Sequence, residues 1–273
     1  MYLSHVADIV RMNILRDGEF LSLGLLSHNC DKMLVGLYDP GYLRKLLANL
    51  SITCVITTHD IAKQLPKHLA IAISDDPKTV FYKIHDYLVR ETDFYWKEFD
   101  SEISPAAVIH ERAYVASKNV CIGRGTIVEP NVTILERSII GDNVIIRAGA
   151  VIGGAGMEPK YVGCKHVNIY HAGGVWLNNR VEISSNSHIQ RSVFGDFTRL
   201  GEDTKIGPLV NIAHNVTVGC RCEIAGSSII AGSSTIGDDV WIGPNSTISS
   251  EIHIGNNARV NLGSVVVKNV KPG

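Results

Sequence analysis

The chain has 273 residues, enough for one or two domains with a substantial core. Charged residues make up only 19%, the formal net charge is −1 and no Lys/Arg run occurs, so nothing provides the basic field that draws nucleic acid. No apolar stretch approaches a membrane span, and the opening MYLSHVADIVRMNIL is interrupted by His5, Asp8 and Arg11, so it is not a secretory apolar core and a cytoplasmic location is expected.

Residues 1–100 read as a small α/β domain. Leu3 to Val10 has helical spacing with Ser4 as candidate N-cap, and Tyr42 to Leu47 is a second helical stretch. Thr53 to Thr58 and Leu69 to Ile73 read as buried strands. Pro77 then opens a helix with Val80, Phe81, Ile84, Tyr87 and Leu88 on one face. A charged, aromatic stretch from Glu91 to Ser104 links this domain to residues 101–273.

From Pro105 a different rule takes over. Apolar residues fall at Ile109 and Val115, then at Ile122, Val128, Ile134, Ile140, Ile146 and Ile152. The rhythm breaks over 153–176 and resumes at Leu177, Ile183 and Ile189. A one-residue deletion before Phe194 then sets an unbroken run of thirteen anchors, every sixth residue to Val266. Four residues after each anchor stands a second inward candidate: Thr198, Thr204, Val210, Val216, Cys222, Ser228, Ser234 and Val240. A helical face returns every three or four residues, so this period excludes a helix. A β-sandwich would need hairpin signals and a period of two. Three short strands closing an 18-residue coil satisfy the period, and stacked coils bury one another's corners. The fold class is mainly β: a parallel β-helix of about eight coils, near 38 Å long at strand spacing, with a loop ejected at about 153–176. The six cysteines (Cys30, Cys54, Cys121, Cys164, Cys220, Cys222) form no CxxC pair and read as buried free thiols.

Chemistry-bearing residues gather at Asn211-Ile212-Ala213-His214-Asn215. His214 lies two residues past an anchor, where a side chain points outward. One coil away on either side stand Asp196 and Gly232, and one coil further come Ser250 and Glu251. A carboxylate, an imidazole and a bare amide in a column are the parts an acyl transfer uses: an orienting acid, a base and an oxyanion donor. The spacing alone equally allows an exposed turn histidine without a role.

The strings Ile152-Gly153-Gly154-Ala155-Gly156, Lys205-Ile206, Leu209 to Asn215, Ile230-Ala231-Gly232-Ser233 and Asp39-Pro40-Gly41-Tyr42 resemble those of UDP-3-O-acylglucosamine N-acyltransferases over nearly the whole chain. The resemblance implies a left-handed coil, a nucleotide-binding N-terminal domain and a homotrimer with sites between subunits. It also implies His214 as catalytic base, Gly232 as oxyanion donor and Asp196 as acid. Tyr42, Tyr38, Asp39, Asn211, Asn215 and Glu251 become the expected substrate-binding residues. No tightly bound cofactor or metal is expected; the donor is an acyl thioester on acyl carrier protein phosphopantetheine or coenzyme A, and the acceptor a nucleotide-linked amino sugar.

Departures from the family pattern keep other readings open. Gly36 stands where the family has an aromatic, Asp39 replaces Asn, Glu251 falls at the second histidine, and Gly207-Pro208 replaces an Asp-Asn pair. The family continues into C-terminal helices, whereas this sequence ends at Gly273. The alternative is an acyl-CoA-dependent N-acyltransferase for a different dTDP- or UDP-dideoxyaminohexose. Less favoured are a γ-carbonic-anhydrase-like metal site using His166, His171 and His188, and a non-enzymatic scaffold.

Overall fold

The computed structural model describes every residue from Met1 to Gly273. The chain divides into two compact units: Met1–Lys97 with Met157–Tyr170, and Glu98–Gly156 with His171–Gly273.

The first unit holds a five-stranded sheet with Asn13–Arg16 at one edge, followed by Ala70–Ile73, Ile52–Thr57, Met33–Leu37 and Ser22–Leu23. Three of these strands (Asn13–Arg16, Ser22–Leu23 and Met33–Leu37) escaped the sequence reading, being short or lacking a clean alternation. The first helix spans Leu3–Val10, but its N-cap is Tyr2, not Ser4. Ser4 lies inside the first turn, where its hydroxyl donates to Asp17 Oδ2 at 2.6 Å. The helix Pro77–Glu91 is capped by Asp76, whose carboxylate accepts the Thr79 N–H at 3.0 Å. Gly36 lets that helix approach the sheet closely, since a Cβ there would sit 3.2 Å from Phe81 Cβ.

Residues 157–170, read from sequence as part of an irregular loop, contain an antiparallel hairpin of Pro159–Val162 and Lys165–Asn168. Thr79 Oγ1 accepts the Gly163 N–H at 2.7 Å, which ties the hairpin's turn to the helix Pro77–Glu91.

The second unit is a three-faced prism, each face a parallel sheet of eight strands. One face runs from Val108–Ile109 to Arg259–Val260, the second from Tyr114–Val115 to Val265–Val266, and the third from Glu102–Ile103 to His253–Ile254. The coils therefore begin at Glu102, one strand before Pro105. The anchors Leu200, Ile206, Ile212, Val218, Ile224, Ile230 and Ile236 are each at most 2% exposed. Each buried Ile or Leu contributes about 1.5–3 kcal/mol.

The polar inward positions are satisfied by a repeated device. Thr204 Oγ1 donates to Gly219 O at 2.8 Å and accepts the Cys222 N–H at 3.1 Å. Ser234 Oγ does the same with Ser249 O and the Ile252 N–H. Many turns pass through a residue of positive φ, such as Asn131, Asn143, Asp203, Asn215 and Asp239, a region Asn and Asp enter at low cost. Of the cysteines only Cys54 and Cys222 are buried, while Cys164 is exposed, which corrects the expectation of uniformly buried thiols.

One register differs from the sequence reading. Leu200 pairs with Leu177, and Ile212 with Ile189. Phe194 is therefore no strand anchor, although its ring is buried. Eleven positions rather than six separate Ile189 from Leu200, so the chain carries an insertion here instead of a one-residue deletion.

Candidate active site

His214 occupies the corner where the second face passes to the third, between strands Asn211–Ile212 and Thr217–Val218. Both departures from the regular coil leave from this same corner. The 190–196 insertion lies one coil away, and the 155–173 excursion one coil beyond that.

Gly232 stacks against the imidazole from the opposite side. A Cβ built on it would meet His214 Cε1 at 2.5 Å and Nε2 at 2.8 Å. Only a glycine allows the ring to lie there. The neighbouring amides serve the coil, with Ser233 N–H donating to His214 O and Ala231 N–H to Ile248 O. The Gly232 N–H donates to no group in the protein. The equivalent position of other turns accepts Pro130, Pro208 and Pro244, as expected where no donor is needed.

The same corner holds Asp196, at the end of the insertion. Its Oδ1 accepts the Phe197 N–H at 2.7 Å and pairs with Arg199 at 3.1 Å. His214 Nδ1 lies 3.4 Å from Asn215 Oδ1. Asn215 also ties the insertion down: its Oδ1 accepts the Val193 N–H at 3.0 Å and its Nδ2 donates to Ser192 Oγ at 2.6 Å. Asn211 Oδ1 accepts from Gln190 at 3.1 Å. Both asparagines thus secure the loop beside His214. Glu251, exposed at φ 59°, donates its N–H to Gly232 O at 3.1 Å, one coil further on.

A residue that sequence reasoning considered only as a metal ligand proves to belong to this corner. The His171 ring, 2% exposed, packs edge-on against His214 with centroids 5.4 Å apart. Nothing in the sequence signals it, because the excursion separates His171 from the regular count. His188 lies on the second face, its Nε2 pressed over Gly154, and burial pushes its pKa down. No group of three or more His, Cys, Asp or Glu side chains is placed to hold a metal ion.

In the first unit, Tyr38 and Tyr42 are 54% and 52% exposed. They flank Asp39, whose carboxylate accepts the Gly41 N–H at 2.8 Å. Both rings stand outside the core, where a flat ligand has access to them.

The family profile described as Bacterial transferase hexapeptide (six repeats) matches residues 119–154 and 233–268. A UDP-3-O-acylglucosamine N-acyltransferase of Caulobacter sp. (strain K31) is 36% identical over 136 residues, 50% of this chain and 40% of that protein. Its namesake in Helicobacter pylori is 30% identical over 207 residues, 66% of this chain and 59% of that one. The chain thus spans about half the length of these curated relatives. Among solved structures, the Francisella novicida UDP-N-acetylglucosamine acyltransferase superposes with TM-score 0.52 and 25% identity, covering 62% of this chain and 64% of that one. The Campylobacter jejuni enzyme of that name gives 0.51 and 21%, covering 63% and 69%. The likeness carries the expected left-handed sense of the coil. With eight coils of hexads and these likenesses, the chain has the hexapeptide-repeat β-helix fold and is similar, over part of their length, to UDP-3-O-acylglucosamine N-acyltransferases.

Proposed function

We propose that the protein is a thioester-dependent N-acyltransferase acting on the amine of a nucleotide-linked amino sugar. The observation that carries this reading is the close approach of the His214 imidazole to Gly232, whose N–H is committed to no other group. His214 removes a proton from the attacking amine, while the Gly232 N–H receives the oxyanion as the thioester carbonyl becomes tetrahedral. The tetrahedral intermediate collapses with expulsion of the thiolate, which takes up a proton to leave as thiol. Asp196 has the role of orienting His214; Asn211, Asn215 and Glu251 border the acceptor, and Tyr38, Asp39 and Tyr42 receive the nucleotide.

The donor is acyl carrier protein or acyl-CoA, the assembly a homotrimer, and the location the cytoplasm. No helix is long and apolar enough to cross a membrane. The second reading, a dideoxyaminohexose acceptor with acyl-CoA as donor, is favoured by Gly36. A Cβ at that position would lie 3.2 Å from Phe81 Cβ, so a side chain there would need Phe81 to give way.

The test is His214→Ala with acyl-CoA and acyl carrier protein offered in parallel. The expected loss in kcat is about 10²–10⁴ with the circular dichroism unchanged. Near-normal turnover in the variant would remove His214 from the mechanism.

A further inference from the structure

The first unit contains a cavity of about 540 Å³ that none of the residues assigned above lines. It lies between the helix Pro77–Glu91 and the hairpin, within the size range of small-ligand sites. Two hydrogen bonds build it. The turn of the hairpin is held by Gly163 N–H to Thr79 Oγ1, and its exit by His85, whose Nε2 lies 2.8 Å from Tyr170 O. A carbonyl only accepts, so Nε2 carries the proton and Nδ1 accepts from the Tyr95 hydroxyl at 2.7 Å. The hairpin is thereby pinned at both ends over the helix, and the space between is left open.

The cavity's chemistry is asymmetric. Tyr82, Val162, Val167, Ile169 and Tyr170 give it rings and aliphatic surface. Its ionic groups are Lys83, Arg90, Lys165 and the single carboxylate of Asp86. Asp86 is already taken by Arg90 at 2.6 Å, and that guanidinium also stands 5.9 Å from the Tyr170 ring centroid. Lys83, from the helix, and Lys165, from the hairpin, are both exposed, and Lys83 also acts on the Asp76 carboxylate near the helix start. Two ammonium groups, one from the helix and one from the hairpin, beside aromatic rings, are complementary to a compact anion joined to a flat body.

We propose that this cavity binds a phosphate monoester of mononucleotide size, with the phosphate between Lys83 and Lys165 and the aromatic body against Tyr170. The site is separate from the acyl-transfer corner and does not depend on that reading. Binding would fasten the hairpin to the helix by bridging a lysine from each.

Cys164, the one exposed cysteine, lines the cavity and serves as reporter. The experiment uses the full chain with AMP, ribose 5-phosphate and adenosine as probes. It reads affinity by calorimetry and Cys164 modification by a thiol reagent. AMP is expected to bind saturably and to slow modification at Cys164. Adenosine and ribose 5-phosphate are each expected to bind at least about tenfold more weakly. The double variant K83E/K165E, exposed at both positions, should lose AMP protection while its melting temperature holds. His214→Ala should bind AMP as the unsubstituted chain does, so failure here and failure of the acyltransferase reading are separable. No saturable AMP binding, equal binding of adenosine, or unchanged affinity in K83E/K165E would each overturn the proposal.

Discussion

At the scale of single residues, the corner around His214 depends on what is missing from its neighbour. Gly232 contributes a flat face and an uncommitted N–H, and a methyl group there would overlap the imidazole. Gly232→Ala is therefore expected to displace the ring and lower kcat by about 10²-fold or more. Gly232 is buried, so the unfolding midpoint is read beside turnover to separate displacement of the ring from loss of the fold. A variant with unimpaired turnover would show that contact to be incidental. His171 makes a different point: a ring buried against His214 is invisible to any count of hexads, because 157–170 intervene.

At the scale of elements, the prism places hydroxyls inside its core and pairs them with backbone groups of the adjoining coils. Thr204 bridges two adjoining coils by donating to Gly219 O and accepting from the Cys222 N–H. Thr204→Val keeps the shape but strands that carbonyl and amide. A loss of about 1–3 kcal/mol is expected in urea unfolding, and an unchanged midpoint would refute the ladder's importance. In the helix Pro77–Glu91, burial pushes the His85 imidazole down to about 4 from its ordinary 6.5. Between those values the unfolded chain binds a proton that the folded chain does not, so acid favours unfolding. The stability linked to His85 is complete above about pH 6.5 and drains as the pH falls toward 4. Urea midpoints at pH 7.5 and pH 5 should differ less in His85→Gln, whose amide can donate to Tyr170 O. An equal slope in both proteins would show that other groups set the acid limit.

At the scale of the whole molecule, each unit has its own core: Met33, Val35, Val55 and Ile71 in one, the stacked anchors in the other. Two cores of different construction need not melt together. Scanning calorimetry is expected to give two transitions, or one whose calorimetric enthalpy exceeds the van't Hoff value. A single transition with equal enthalpies would show one cooperative block. Offering acyl-CoA and acyl carrier protein side by side tests the proposed function at this scale, since a protein-borne donor would need a docking surface as well as the corner at His214.

The sequence by itself determined the prism. A six-residue period has one economical solution, and the inward slots Thr198, Val210, Val216, Cys222 and Ser228 are all buried where the spacing put them. It also determined that His214 and Gly232 share a corner, because one 18-residue coil separates them. Local arithmetic failed where the chain stopped repeating. The insertion after Ile189 was read as a deletion, since Phe194 is apolar and happens to lie six residues before Leu200. Whether Phe194 sits in a strand depends on pairing Leu200 with Leu177, a contact the period alone does not encode. The hairpin of 159–168 and its place with the first unit were likewise settled by contacts far apart in the chain, such as Gly163 with Thr79. Repetition writes its contacts at fixed intervals and so can be read from one dimension; excursions choose their partners in three.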